Sequence, residues 1–416
     1  TDQFRYIDGE LYCESTPVSA IVESVGTPVY IYSKNHFISS YNGFKNAFSG
    51  MEAEIFYAVK SNFNLSVIKA FIDSGAGVDV NSAGEFFRAL KAGAKPSRMI
   101  LTGVGKRPDE LKLGLDYDVL MIKAESCEEV SAIDSIAASL GVRARVALRV
   151  NPDVDPMTHP YISTGLAENK FGIPIARAME IYKSWREYKS IDFTGIDMHI
   201  GSQITTLSPF IQSTERVAKL YNEIAAMGVP LQHFDLGGGI GVRYKDEKTF
   251  TIEEYAAALM PVLKKTGAIA LFEPGRYLTA NGGILVTKIE YTKSNGQKVF
   301  YIVDAAINDL LRPSIYSAYH HVQPVKIVSS GTLEVDIVGP VCESGDFFAK
   351  DREILKSESG SLLAVMSAGS YGMVMSSNYN ARRRPPEVMV EGDKFRVIRS
   401  RETYDHMFYD EAELMD

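Results

Sequence analysis

Between residues 28 and 275 the chain alternates short, β-branched apolar runs with longer stretches whose apolar positions recur every three to four residues. The runs at 29–31, 54–59, 77–80, 99–102, 119–122, 145–150, 193–199, 233–236 and 268–272 read as strands. The stretches at 82–92, 126–140, 175–188, 209–227 and 252–266 read as helices. Near-continuous apolar runs suit strands buried on both faces, and the intervening helices supply the crossovers that parallel pairing needs. About eight such units in about 250 residues predict a closed (β/α)8 barrel, with an open doubly wound sheet as the alternative.

After Glu273-Pro274-Gly275-Arg276 the texture changes. Runs at 284–291, 299–303, 325–328, 332–338, 362–366 and 394–399 read as strands joined by turns, with little helix between them. They predict a second, mainly antiparallel β domain, a barrel or sandwich. The strand-like residues 4–7 and 10–13 can add to it. The expected division is therefore a barrel over 28–276 and a β domain from 1–27 with 277–416.

Composition agrees with two cores: 416 residues, 45% hydrophobic and 23% charged, exceed what one ordinary core holds. The net charge of −8 argues against a nucleic-acid partner, and the one basic block, Arg382-Arg383-Arg384, runs into Pro385-Pro386 and reads as a solvated loop. Three cysteines (Cys13, Cys127, Cys342) without framework spacing point to a reducing compartment. No apolar run reaches membrane-spanning length and the N-terminus lacks signal-peptide character, so the expectation is a cytoplasmic protein with no membrane partner.

Chemistry is expected at the C-terminal ends of barrel strands. There the sequence places Lys60, Asp79, Asn81, Asn151, His199, the loop Gly237-Gly238-Gly239-Ile240-Gly241, and Glu273. Lys60 closes an apolar run, and a buried amine has a lowered pKa that suits Schiff-base chemistry with an aldehyde cofactor; the alternative is a solvated loop lysine. The glycine loop offers bare backbone amides to a phosphate, or is simply a turn; it lacks the Rossmann and Walker spacings. A Schiff-base lysine beside a phosphate cradle suggests pyridoxal 5′-phosphate, and Glu273 suits its pyridine nitrogen. His199 lies against the ring or serves as a hydrogen-bonded core residue. No histidine spacing supports a metal site. In the β domain Cys342, near Glu343 and Asp346, is either a proton donor or an inert thiol.

These residues sit in motifs that match a known family. Phe56-Tyr57-Ala58-Val59-Lys60-Ser61-Asn62, Asp79-Val80-Asn81-Ser82-Ala83-Gly84-Glu85, His199-Ile200-Gly201-Ser202-Gln203, the glycine loop, Glu273-Pro274-Gly275-Arg276, Cys342-Glu343-Ser344-Gly345-Asp346 and Ala368-Gly369-Ser370-Tyr371-Gly372 occur in order over nearly the whole chain. In them the chain resembles the fold-type III pyridoxal-phosphate decarboxylases and, within these, the branch acting on diaminopimelate. The resemblance implies that Lys60 carries the cofactor, that Gly238, Gly239 and the backbone of Glu273, Pro274, Gly275 and Arg276 hold its phosphate, and that Ser202 binds the cofactor. It further implies that Glu273 meets the pyridine nitrogen, and that Asp79, His199 and Tyr371 contact the cofactor. Cys342 would protonate the product carbon in the partner subunit's site, making the protein a homodimer with shared sites. Substrate would meet Arg276, Arg312, Tyr316, Glu343 and Tyr371, with a guanidinium reading the distal carboxylate and Glu343 the distal ammonium. The implied reaction turns meso-2,6-diaminopimelate into L-lysine and carbon dioxide, the last step of lysine biosynthesis. Rival readings are a sister decarboxylase of ornithine, arginine or a carboxylated polyamine, a racemase on the same scaffold, and a non-catalytic regulator. Residues 157–169 are the expected lid.

Overall fold

The computed structural model describes residues 3–156, 158–159, 164–165 and 170–415. It divides into two compact units: residues 39–242 with 248–277, and residues 1–38 with 243–247 and 278–416.

The first unit is a closed ring of eight parallel strands: β1 (Ala53–Ala58), β2 (Gly77–Val80), β3 (Met99–Leu101), β4 (Met121–Ala124), β5 (Ala144–Asn151), β6 (Ile191–Asp197), β7 (His233–Asp235) and β8 (Ile269–Phe272). Closure is made by β8 on β1, with Ala270 opposite Ala53 and Phe272 opposite Ile55. The helices between start at caps the sequence supplies: the Ser82 side chain accepts from Glu85 N–H before Ala83–Lys91, Ser126 accepts from Glu129 N–H before Cys127–Leu140, and Thr251 forms a capping box with Glu254 before Ile252–Leu263.

Phe56, Ile100, Met121, Ala147 and Leu271 pack together as one buried apolar cluster. Side chains on a strand repeat their face every second residue. Two residues further along these five chains stand Ala58, Thr102, Lys123, Arg149 and Glu273. Toward its C-terminal end the barrel interior thus gains three charged residues, Lys123, Arg149 and Glu273.

The second unit contains a mixed, mainly antiparallel sheet in which Gly283–Asn295 pairs antiparallel with Lys298–Val303, Leu362–Val365 and Val29–Ser33. Leu11, Val18, Ile21, Val29, Ile31, Ile284, Val286, Val388 and Val390 form its core. Phe4–Ile7 and Glu10–Cys13 pair antiparallel beside it.

Three expectations change. Residues 29–31 are not a barrel strand: Val29–Ser33 pairs with Gly283–Asn295 and, in parallel, with Glu387–Glu391. A run buried at every position looks the same in the middle of either sheet, so its pattern does not name its partner. The strand expected at 325–328 is Val322–Pro324, with Val328 exposed. The arginines 382–384 are half-buried rather than solvated, Arg383 lying 4.6 Å over the Tyr404 ring. Most of the expected lid, 157–169, lies outside the described residues. Among the described residues no helix is long and apolar enough to cross a membrane.

Candidate active site

The C-terminal end of the barrel collects Lys60, Asp79, His199, Ser202, the glycine loop, Glu273, Gly275 and Arg276. β1 ends at Ala58 and the chain turns into a short 3-10 helix, Val59–Ser61. That turn takes Lys60 off the strand, so its side chain is about a third exposed (37%) rather than buried as the apolar run suggested. Its Nζ lies 3.7 Å from Asp79 Oδ2. Asp79 is fully buried, and neither of its oxygens accepts a hydrogen bond among the described residues. A buried carboxylate in that state is prepared for a cationic or N–H-bearing group.

The glycine loop is packed, not a loose turn. A Cβ on Gly238 would lie 2.3 Å from the Glu273 carbonyl oxygen. Gly239 has φ +109°, and a Cβ there would lie 2.5 Å from the Gly201 carbonyl. Gly238 N–H donates to His199 Nδ1 at 3.2 Å. His199 therefore carries its proton on Nε2 and is neutral. Burial, then the charges of Lys60, Arg149 and Lys123, push its pKa well below the ordinary value. Beside the loop, Arg276 Nε and Nη2 donate to Ser202 Oγ at 3.3 and 3.0 Å. A glycine backbone without side chains, a hydroxyl and a buried guanidinium are suited to a phosphate dianion.

Below Lys60 sits a group of residues the sequence reading missed. Lys123 is completely buried, with Nζ 2.5 Å from Glu273 Oε1, 2.8 Å from Asp197 Oδ1 and 2.8 Å from Asp235 Oδ2. The three carboxylates have the spacing of a metal site, and the lysine ammonium lies among them. Arg149 adds a second cation, bonded to Glu125 at 2.8 Å and 3.9 Å from Asp197. Burial opposes the charge on Lys123, but Asp197, Asp235 and Glu273 outweigh it and hold its pKa well above the ordinary value. One ammonium does not neutralise three acids. Burial and the neighbouring carboxylates push Glu273 well above its usual range, and burial pushes Asp197 up to about 6. The missed signal was the period of two: Lys123 follows Met121 on the same strand face, as Glu273 follows Leu271.

The remaining candidates belong to the second unit. Arg312 and Tyr316 bound a short helix, Arg312–Tyr316, in which Arg312 is buried. Cys342 and Glu343 are exposed, and Glu343 bonds the Tyr379 hydroxyl, whose pKa it raises. Asp346 is occupied by the backbone N–H groups of Ile307 and Val341, each at 2.7 Å. Tyr371 has φ +55°, a left-handed conformation that a non-glycine residue adopts at a cost and that often marks a functional position.

The family model described as the pyridoxal binding domain of pyridoxal-dependent decarboxylases matches residues 34–280. By class the chain is a pyridoxal-dependent decarboxylase, and pyridoxal phosphate is its cofactor. It is 46% identical over 411 residues to a diaminopimelate decarboxylase of Pseudomonas aeruginosa, covering 99% of both chains. Its structure matches the diaminopimelate decarboxylase of Helicobacter pylori complexed with L-lysine, with a TM-score of 0.92, 40% identity, and 95% and 100% of the two chains covered. The diaminopimelate decarboxylase of M. jannaschii matches with a TM-score of 0.94 and 34% identity over 100% and 99% of the two chains. The chain belongs to the diaminopimelate decarboxylase family.

Proposed function

We propose that this chain decarboxylates meso-2,6-diaminopimelate at its D-configured centre, giving L-lysine and carbon dioxide as the last step of lysine biosynthesis. The observation that carries the reading is the convergence of Lys60, Asp79, Glu273, the glycine loop and the Ser202–Arg276 pair at one end of the barrel. Family membership narrows it to this substrate.

In this reading Lys60 would hold the cofactor through its aldehyde carbon and Glu273 would serve its pyridine nitrogen. Gly238, Gly239, Ser202, Gly275 and Arg276 would hold the phosphate, and neutral His199 would serve the ring. Asp79 fixes the charge beside Lys60, and Tyr371 contacts cofactor and substrate. Pyridoxal phosphate, once bound, supplies an electron sink for the pair left by the departing carboxylate. Arg312, with Tyr316, reads the distal carboxylate, Glu343 accepts from the distal ammonium, and Arg276 faces the substrate as well as the phosphate. Cys342 Sγ delivers a proton to the carbon that has lost its carboxylate. Exposure of Cys342 in the chain supports its use in a second subunit's site, and hence a homodimer with shared sites.

Product analysis tests the substrate. The protein with pyridoxal phosphate is given meso-diaminopimelate, ornithine or arginine, and carbon dioxide and amine are assayed. Lysine from diaminopimelate alone is the expected result; release from ornithine or arginine instead, or from none, overturns it. Mixing inactive Lys60→Ala and Cys342→Ala proteins tests sharing: activity returns in the mixture if sites are built from two subunits, and stays absent if each chain is self-sufficient.

A further inference from the structure

Arg312 is gripped from two sides within the second unit. Its Nη1 lies 2.7 Å from His320 Nε2, and its guanidinium carbon lies 4.6 Å over the Tyr244 ring. His320 is completely buried, and its Nδ1 lies 2.8 Å from the Met366 carbonyl oxygen. The Tyr244 ring meets the His320 ring edge-on, with centroids 5.4 Å apart and an interplanar angle of 75°. Arg352 Nη1 donates to the His320 carbonyl at 2.9 Å and fixes the backbone of the same residue.

These partners determine the tautomer. A guanidinium only donates and a carbonyl only accepts. His320 Nε2 must therefore accept from Arg312, and Nδ1 must carry the hydrogen that goes to Met366. The imidazole is the neutral Nδ1–H form, since an imidazolium would set N–H against N–H. The two groups described as holding Arg312, an imidazole and a phenol ring, are both uncharged. They fix the direction and plane of the guanidinium, and a bidentate carboxylate-reading arginine depends on both.

We propose that His320 is a positioning residue for substrate selection: by accepting from Arg312 through Nε2 it aligns the guanidinium for the distal carboxylate, favouring substrates that end in a carboxylate over those that end in an amine. The proposal rests on the reading of Arg312 given above and extends it to a residue that does not itself contact substrate. Tyr244, under the guanidinium, sets its plane.

Two amides separate this role from simple packing. In His320→Asn the side-chain amide takes the place of Nδ1 and still donates to Met366, but it does not reach Arg312. In His320→Gln the longer side chain places its oxygen near the Nε2 position. The measurements are KM and kcat for meso-diaminopimelate, and the inhibition constant of D-lysine, which shares the reacting centre and lacks the distal carboxylate. His320→Asn is expected to raise KM about 10–100-fold, the range for a lost hydrogen bond to a charged group, with kcat and D-lysine inhibition nearly unchanged. His320→Gln is expected to recover most of that loss. An unchanged KM in His320→Asn overturns the proposal, and so does a rise in KM matched by equal weakening of D-lysine. Arg312→Gln is the reference: if it leaves KM unchanged, the reading of Arg312 itself fails. If Arg312→Gln raises KM and His320→Asn does not, only the role of His320 fails. Should His320→Asn not fold, Tyr244→Leu takes its place, with the same selective rise expected and an unchanged KM overturning the proposal.

Discussion

Lys60 and Lys123 leave the same barrel at two places, and their surroundings differ in almost every respect. Lys60 stands beyond the end of β1 on a 3-10 turn, partly exposed, with Asp79 at 3.7 Å. Lys123 stands inside β4, completely buried, with three carboxylates between 2.5 and 2.8 Å. An amine serves as a nucleophile only when it can release its proton, and three close carboxylates prevent that. Burial alone therefore does not mark the reactive lysine. What separates the two is how many acids claim each ammonium, and whether its carrier is a strand interior or a turn that opens toward the strand ends.

The same replacement at both positions breaks the comparison most sharply. Lys60→Met is expected to abolish turnover and leave no cofactor fixed to the protein by borohydride, while stability to urea falls by less than in Lys123→Met, because Lys60 is partly exposed and stands 3.7 Å from a single acid. Lys123→Met is expected to cost about 3–5 kcal/mol, because three buried carboxylates lose their ammonium. The loss depends on pH. Asp197 and Glu273 already have folded-state values raised above those of an unfolded carboxyl. Such groups favour the folded state below the unfolded value and lose that contribution as pH rises through the folded one. Without Lys123 they rise further, so the deficit is expected to shrink near pH 5 and grow above pH 6. Equal urea midpoints for wild type and Lys123→Met at pH 7.5 would show that the cluster is not held by this lysine.

Asp309 sharpens the contrast from the second unit, as a buried acid held by neutral donors. Its oxygens accept from Ala306 N–H at 2.9 Å and the Asn308 amide at 3.0 Å, and burial pushes its pKa up to about 7. The folded protein keeps this proton where the unfolded chain releases it, so stability falls as pH rises from about 4 through 7. Asp309→Asn removes that titration. Between pH 5 and 8 the wild type is expected to lose about 2–3 kcal/mol more than the variant, at about 1.4 kcal/mol per pH unit over the two units below the folded pKa. Parallel pH profiles from denaturant titration would rule out Asp309 as the source.

The barrel was legible because near-continuous apolar runs and capped helices are local signals, and Lys60, His199, Glu273 and the glycine loop were singled out as candidates because unusual residues stand out at strand ends. The sequence reading misplaced Val29–Ser33 because pairing is decided by chain segments more than 200 residues apart in sequence, Gly283 lying opposite Tyr32. It missed Lys123 because the run read as a strand stops at 122, which leaves the lysine in the following loop, whereas the strand is Met121–Ala124 with Lys123 on its inward face. Only ring closure makes that face the interior. Asp197 and Asp235 were passed over because they lie inside runs that were read as strands, and their meeting with Lys123 is a property of three strands together.

The smallest expected effect supplies the reference for the whole comparison. Lys112 and Asp116 are four residues apart on the helix Pro108–Asp116, with Nζ 2.6 Å from Oδ2 and side chains about half exposed (52% and 45%). The ammonium-to-carboxylate distance is as short as those around Lys123, so distance alone would predict comparable energies. Water removes the equivalence: at high dielectric the attraction is small, both side chains retain solvation when separated, and salt screens what remains. The lysine also precedes the acid, the weaker orientation along a helix. Methionine matches lysine closely in helix propensity, so Lys112→Met isolates the pair. It is expected to cost no more than about 0.5 kcal/mol in urea unfolding at low salt, and less at 0.5 M salt, where on the order of a 4 Å screening length applies. A cost approaching that of Lys123→Met would mean that close ion pairing, and not burial among several acids, governs what a lysine contributes to this barrel.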